Sequence, residues 1–267
     1  MAAKLRWAIG AVRLTLREPG DGFDRATGRL KRLVMGSDAT GHEYAADPQW
    51  EQHLHEQLGQ DWPCEAAGEF DALWEEITQS LQQQGLAVGR GTYGGWDDGD
   101  RGFARVVWCL ARHLPASTVV ETGVARGITS RVILEALQRN GGGRLCSIDL
   151  PALDTAFHSE IGAAVPERLR GNWTYVNGTS RSRLPGLLRE LGEIDLFVHD
   201  SSHTARNLRF ELGQAWGALR SGAAVADDIE RNDAFGKFTK VHADARSFIA
   251  AADDSSGAQF GILLKGR

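Results

Sequence analysis

Asp200 and His203 stand three residues apart at the end of the apolar run IDLFVHD, and an acidic pair, Asp227 and Asp228, closes the later run AAVADD. Taken singly, each aspartate reads as a loop or helix cap, because a carboxylate accepts N–H bonds at helix starts. Taken together they read differently. Three converging carboxylates repel one another unless a cation joins them. An all-oxygen donor set favours a hard ion such as Mg²⁺ or Ca²⁺, which makes Asp200, Asp227 and Asp228 candidate metal ligands. His203 suits a general base, since a free imidazole titrates near pH ~6.5. His199 directly precedes Asp200, and strand alternation turns it elsewhere, so it is read as structural.

Such convergence needs strands that end side by side. From Thr118 onward, short β-type runs alternate with helical patterns: TVVETG, RLCSIDL, WTYVNG, IDLFVHD, AAVADDI and FGILLK are the strands, and a helix is expected near residues 237–251. This alternation predicts an α/β fold, a doubly wound and mostly parallel sheet over residues 91–267. Ligands bind such sheets beyond the carboxyl ends of the strands. Residues 1–90 read as a mainly helical N-terminal extension. Phe70, Leu73, Trp74, Ile77 and Leu81 follow helical spacing there, with Gly85 as the stop. A further helix is expected from Phe103 to His113. The stretch GRGTYGGWDDGDRG, residues 89–102, reads as a loop.

The first strand runs into a glycine turn, VVETGVARGITS. Gly123 and Gly127 permit a tight turn and close backbone approach to a ligand. Glu121 at the strand end repels a pyrophosphate and welcomes a cationic amine. Asp149, which ends the next strand, suits the two hydroxyls of a ribose.

ETGVARG, the strand-end Asp149 and LRSGAAVADDI resemble the class I S-adenosylmethionine-dependent methyltransferases, over about residues 90–267. The resemblance implies that Glu121, Gly123 and neighbouring backbone, with Gly127, meet the methionine end of the cofactor. It places Asp149 on the ribose and Gly178 and Thr179 near the adenine. Ala125 stands where the commoner form has a glycine. The group Asp200-Ser201-Ser202-His203 with Asp227-Asp228 resembles the metal-dependent O-methyltransferases, and among them the macrocin and mycinamicin sugar O-methyltransferases. Asp200 counts with both the cofactor and the metal set. The implied cofactors are S-adenosylmethionine and Mg²⁺ or another divalent cation. The implied acceptor is a hydroxyl of a sugar or glycosylated natural product, with Tyr93, Trp96 and Asn232 (beside Asp233 and Phe235) as candidates to line its pocket. Methylation of nitrogen or of a phenol stays open as an alternative. So do an NAD-dependent oxidoreductase, which the absence of G-x-G-x-x-G disfavours, and a non-catalytic cofactor-binding subunit.

Composition narrows the field. The 267 residues carry a net charge of −5, which disfavours a nucleic-acid binder. The charge is uneven: residues 1–32 hold eight basic and three acidic residues, so the remainder carries about −10. Cys64, Cys109 and Cys146 lie far apart, in no disulfide or zinc spacing, as expected of a cytoplasmic protein. No apolar run has the ~18 residues a membrane span requires. The basic N-terminal segment reads as a helix packed on its own protein or subunit, or on a membrane surface. With Trp7, Trp50, Trp62, Trp74, Trp96 and Trp108 it leads to the expectation of a homo-oligomer.

Overall fold

The computed structural model describes residues 2–17, 19, 41–94, 96–150, 152–252 and 257–266. Its centre is a seven-stranded sheet. The chain reaches it through the helices Ala2–Arg17, Trp50–Leu58 and Glu65–Gln83, a small hairpin of β1 (Gly89–Tyr93) and β2 (Trp96–Asp98), and the helix Arg101–His113. The sheet strands follow as β3 (Thr118–Thr122), β4 (Arg144–Asp149), β5 (Trp173–Asn177), β6 (Ile194–His199), β7 (Leu219–Ala226), β8 (Arg246–Ala251) and β9 (Gln259–Lys265). Their spatial order is β5-β4-β3-β6-β7-β9-β8. The first five in that order are parallel, while β9 runs antiparallel to β7 and β8 antiparallel to β9. This is the doubly wound, mostly parallel sheet that the sequence predicts.

Period-2 alternation sorts the strand residues between two cores. Val119, Leu145, Leu196, Val198 and Val225 face the helices Glu65–Gln83, Arg101–His113 and Ile128–Arg139. Val120, Ile148, Phe197, Ala224 and Ala226 face the helices Ser180–Leu191, Ala205–Ala218 and Ala234–Val241. Helices thus cover both faces, as buried parallel strands require.

Two expectations fail. Residues 89–98 pair as a hairpin rather than forming an open loop. Gly94 carries the turn at positive φ, Gly91 sits at positive φ where the register of β1 shifts, and the strands lack the apolar alternation that would have marked them. The helix expected near 237–251 stops at Val241, and Arg246–Ala251 is instead strand β8. Its exposed first half hides it: burial begins only toward Ala250, where it meets Phe260 of β9.

The helix Ala2–Arg17 packs on its own chain. Arg6 donates to Asp154 at 2.5 and 3.0 Å, and Leu14 is buried, while Ile9, Val12 and Leu16 stay exposed. No helix among the described residues is long and apolar enough to cross a membrane.

Candidate active site

Strand register brings the site together. Thr122 pairs with Ile148 on one side and His199 on the other, and His199 pairs with Ala226. The residues that follow, Gly123, Asp149, Asp200 and Asp227, therefore leave the sheet at one level and ring one crevice. Their closeness is tight enough to dictate residue type. A Cβ on Gly123 (φ 91°) would lie 1.8 Å from the carbonyl oxygen of Asp200. The glycine of the turn is thus required by the neighbouring strand end, whatever ligand it meets.

At the β6 and β7 ends, donor atoms of Asp200, His203 and Asp227 all lie within 4.8 Å of one another. His203 Nε2 is 4.0 Å from Asp200 Oδ1 and 3.4 Å from Asp228 Oδ2. Asp228, in a left-handed conformation at φ 51°, turns its carboxylate to Arg231 at 2.5 Å. Of the three aspartates expected to converge, two share the tight cluster and the third is ion-paired at its rim. Asp227 Oδ1 is buried without a hydrogen-bond partner. Loss of water, with repulsion from Asp228, pushes both Asp200 and Asp227 well above the usual carboxylate range. Burial, reinforced by the adjoining His199, holds His203 well below the usual imidazole range. The cluster is short of positive charge and its imidazole is neutral at pH 7.

Beneath it lies a unit that sequence reading passed over. Glu211, fully buried on the helix Ala205–Ala218, accepts hydrogen bonds from Thr122 Oγ1 (2.6 Å), Ser201 Oγ (2.8 Å) and Asn207 Nδ2 (2.7 Å), and meets His199 Nδ1 at 2.5 Å. Burial alone would raise its pKa, but the His199 ring and the donors overcome this and bring Glu211 down to about 2. His199 is fully buried. Its ring stands edge-on to that of His203, with centroids 5.6 Å apart. Glu211 shares the helix face of Leu208, Leu212 and Ala215, and an acid on an apolar stripe was the signal available.

On the β3 and β4 side, Glu121 is fully buried and its Oε2 accepts from Ser130 Oγ (2.6 Å) and Ser147 Oγ (2.7 Å). Its Oε1 has no partner. Burial pushes Glu121 up to about 7 despite the two serines. Tyr93 and Tyr175 both sense the charge of Asp149, and burial raises both phenols. Their hydroxyls are buried without partners. Tyr93, expected on the acceptor side, thus lies within range of the Asp149 charge. Tyr175 went unremarked in the sequence.

The glycine turn is fastened by Arg126. Its guanidinium is almost fully buried and reaches Asp98 (2.9 Å), Glu160 (2.7 Å) and the carbonyls of Ala87 (2.7 Å) and Thr92 (2.9 Å), and Tyr93 stacks on it at 5.5 Å. The hairpin thereby becomes a wall of the crevice. Ala125 adopts φ 47°, the conformation for which the commoner motif supplies glycine. Gly127 (φ 78°) approaches the backbone of Gly162 so closely that a Cβ would lie 3.0 Å from its Cα. Gly178 sits at φ 145° and Thr179 caps the helix Ser180–Leu191 through Ser182 N, so both have a local structural use. Trp96 is 46% exposed on β2. Asn232 donates to the His203 carbonyl at 3.0 Å and accepts from Ala234 N at 3.0 Å, which binds the loops after β6 and β7 together. Asp233 pairs with Lys237, and Phe235 is buried in the core.

Residues 120–229 match a family model described as a methyltransferase domain. The matched segment takes in Glu121, the glycine turn, Asp149, Asp200, His203 and Asp227. Solved structures extend the likeness in fold. An O-methyltransferase from Bacillus cereus in complex with SAH superposes with a TM-score of 0.52 at 14% identity, covering 81% of this chain and 97% of that one. A methyltransferase from Geobacter sulfurreducens gives 0.50 at 15% identity, covering 82% and 99%. No curated protein matches the chain.

Proposed function

We propose that the chain is an S-adenosylmethionine-dependent O-methyltransferase, assisted by a divalent cation, whose acceptor is a hydroxyl on a sugar or a glycosylated small molecule. The observation that carries this reading is the convergence of Asp200, His203 and Asp227 beside the glycine turn of a methyltransferase domain. The SAH-bound neighbour of the same fold supports the choice of cofactor.

Glu121 and Asp149 are the acids that would receive the amine and ribose of S-adenosylmethionine, and Tyr93 and Tyr175 add hydroxyls beside Asp149. Asp200 and Asp227 fit a hard cation. They offer carboxylate oxygens, one of them buried and unpartnered, in a cluster starved of positive charge. Such an ion would lower the pKa of an acceptor hydroxyl and orient it. His203 is neutral at pH 7 and takes the proton as the hydroxyl oxygen attacks the methyl carbon and the carbon–sulfur bond breaks. Asp228, 3.4 Å from His203 Nε2, favours the imidazolium that results. Asn232 and the Glu211–His199 pair hold the His203 loop in place. Trp96, exposed on the hairpin, would offer its ring to a sugar face. The stripe Ile9, Val12 and Leu16 supports assembly of the chain into a homo-oligomer, and three free cysteines support a cytoplasmic setting.

The test combines binding and turnover. Calorimetry should show binding of S-adenosylhomocysteine and none of NAD. Methyl transfer to sugar hydroxyls should stop in EDTA and return with Mg²⁺. Tight NAD binding without S-adenosylhomocysteine binding would overturn the cofactor, and full activity in EDTA would overturn the cation.

A further inference from the structure

Away from the crevice, a second set of ligand-type side chains converges where the N-terminal helices meet the methyltransferase domain. His55 comes from the helix Trp50–Leu58, Cys64 from the residue before the helix Glu65–Gln83, and His113 from the last turn of the helix Arg101–His113. Both imidazoles aim Nε2 at one sulfur, at 3.1 Å from His55 and 3.3 Å from His113. The three donor atoms lie within 4.8 Å of one another. Cys64, which stands in no zinc spacing in the sequence, is thus brought by the fold into a set of zinc-type donors. The three residues come from three elements, and their separations of 9 and 49 positions match no motif spacing.

His55 is fully buried, and its Nδ1 lies 2.7 Å from the carbonyl oxygen of Glu51. A carbonyl only accepts, so Nδ1 carries the hydrogen and Nε2 presents its lone pair to the sulfur side. A rear nitrogen bonded to a backbone carbonyl is how proteins orient metal-binding imidazoles. Cys64 and His113 are half-buried, which leaves a path for an ion. The seam around them is already tight: Trp108 Nε1 donates to Ala66 O at 2.7 Å, and Arg105 pairs with Glu51 and Asp71.

We propose that His55, Cys64 and His113 bind one Zn²⁺, or an ion of similar softness, and so clamp the N-terminal helices onto the methyltransferase domain. Imidazole and thiolate suit Zn²⁺ and disfavour Mg²⁺, so this site and the carboxylate cluster select different metals. Zinc bonds of about 2.0–2.1 Å to nitrogen and about 2.3 Å to sulfur, at tetrahedral angles, set N and S about 3.6 Å apart. The observed contacts need to open by only a few tenths of an ångström. On binding, the Cys64 thiol releases its proton to solvent as the sulfur–zinc bond forms. The competing state is a hydrogen-bonded triad, in which the thiol donates to His55 and His113 donates to the sulfur.

The experiment uses the full, tag-free chain, stripped with a chelator and then given Zn²⁺ or Co²⁺ alone. With Co²⁺ a thiolate-to-cobalt charge-transfer band should appear. With Zn²⁺ the reaction of Cys64, the one half-buried thiol, with a thiol reagent should slow, and the thermal midpoint should rise. Cys64→Ser and His113→Ala should lose the band, and Asp227→Asn should keep it, which separates this site from the one proposed for catalysis. Measurements on the unaltered chain do not depend on any variant folding. No cobalt band and a thiol equally reactive with and without Zn²⁺ would overturn the proposal and leave the hydrogen-bonded triad.

Discussion

Glu211 and Asp227 lie under and in the same crevice, and the protein treats their carboxylates in opposite ways. Glu211 is surrounded by Thr122, Ser201, Asn207 and His199, and its pKa falls to about 2. Asp227 has other carboxylates for neighbours and one oxygen with no partner, and its pKa rises. A buried charge that serves architecture is matched by donors already present in the chain. A buried charge left unmatched marks the place of something the chain does not itself supply.

The largest effects should come from the unmatched side. Asp227→Asn should abolish cation-dependent methyl transfer, a loss on the order of 10³-fold if the ion supplies several kcal/mol to the transition state. His203→Ala should lower turnover by about 10²–10⁴-fold while leaving cofactor binding intact, with partial recovery at high pH. Initial rates against pH, with Mg²⁺ titrated, check both. Undiminished turnover in His203→Ala would reduce that residue to a loop contact.

Stability should show the reverse pattern. Glu211→Ala leaves His199 and three donors unmatched, so it should cost about 3–5 kcal/mol in urea unfolding. Because Glu211 lies below its ordinary range, its contribution is complete above pH ~4.5 and is lost as pH falls toward about 2. In metal-free buffer Asp227→Asn should be neutral or stabilising. If it destabilises as much as Glu211→Ala, the contrast between the two carboxylates fails.

The sequence discloses these two sides unequally, for a physical reason. Strand ends are punctuated by a change from apolar to polar residues, so Asp149, Asp200, His203 and Asp227 could be read and placed at one sheet edge. The fold was legible in the same way, because four buried parallel strands, and the half-exposed edge strand β5 beside them, write themselves as separate runs. Glu211 and Arg126 carry no such mark. Each is a charged residue whose partners lie elsewhere in the sequence, up to 89 positions away for the Thr122–Glu211 bond. Only the fold brings the compensating groups together. The hairpin and β8 were missed because glycine conformation and edge pairing, rather than an apolar pattern, define them.

Glu121 stands between the two cases, with one oxygen matched by serines and one unmatched. Its carboxyl lies at about 7, above its ordinary range. The sign is therefore opposite to that of Glu211: its stabilising share is complete below pH ~4.5 and is lost as pH rises through about 7. Glu121→Gln should match the unaltered chain in stability at pH 4 and exceed it at pH 8, by about 3 kcal/mol at most from the usual worth of a pKa unit. Saturating S-adenosylmethionine should shrink that difference if its amine meets the carboxylate. Thermal midpoints at the two pH values decide it. Equal midpoints throughout would mean that Glu121 is held by more donors than its two serines.

The smallest effect carries the finest test, because two properties should move in opposite directions. Tyr175 and Tyr93 each bury a hydroxyl without a partner, close enough to Asp149 for its charge to raise both phenols. An unmatched buried hydroxyl costs stability, so its removal is neutral or slightly favourable. Tyr175→Phe should therefore raise the stability of the ligand-free chain by up to about 1 kcal/mol. If the hydroxyl awaits the cofactor, the same change should weaken S-adenosylhomocysteine by about 1 kcal/mol, roughly fivefold. Tyr93 stacks on Arg126, and phenylalanine keeps that contact, so Tyr93→Phe should behave alike. A gain in stability with unchanged affinity would make the two tyrosines packing residues. A loss of both would mean that the hydroxyls already have partners within the fold, and that an unmatched atom on this side of the crevice does not mark a ligand.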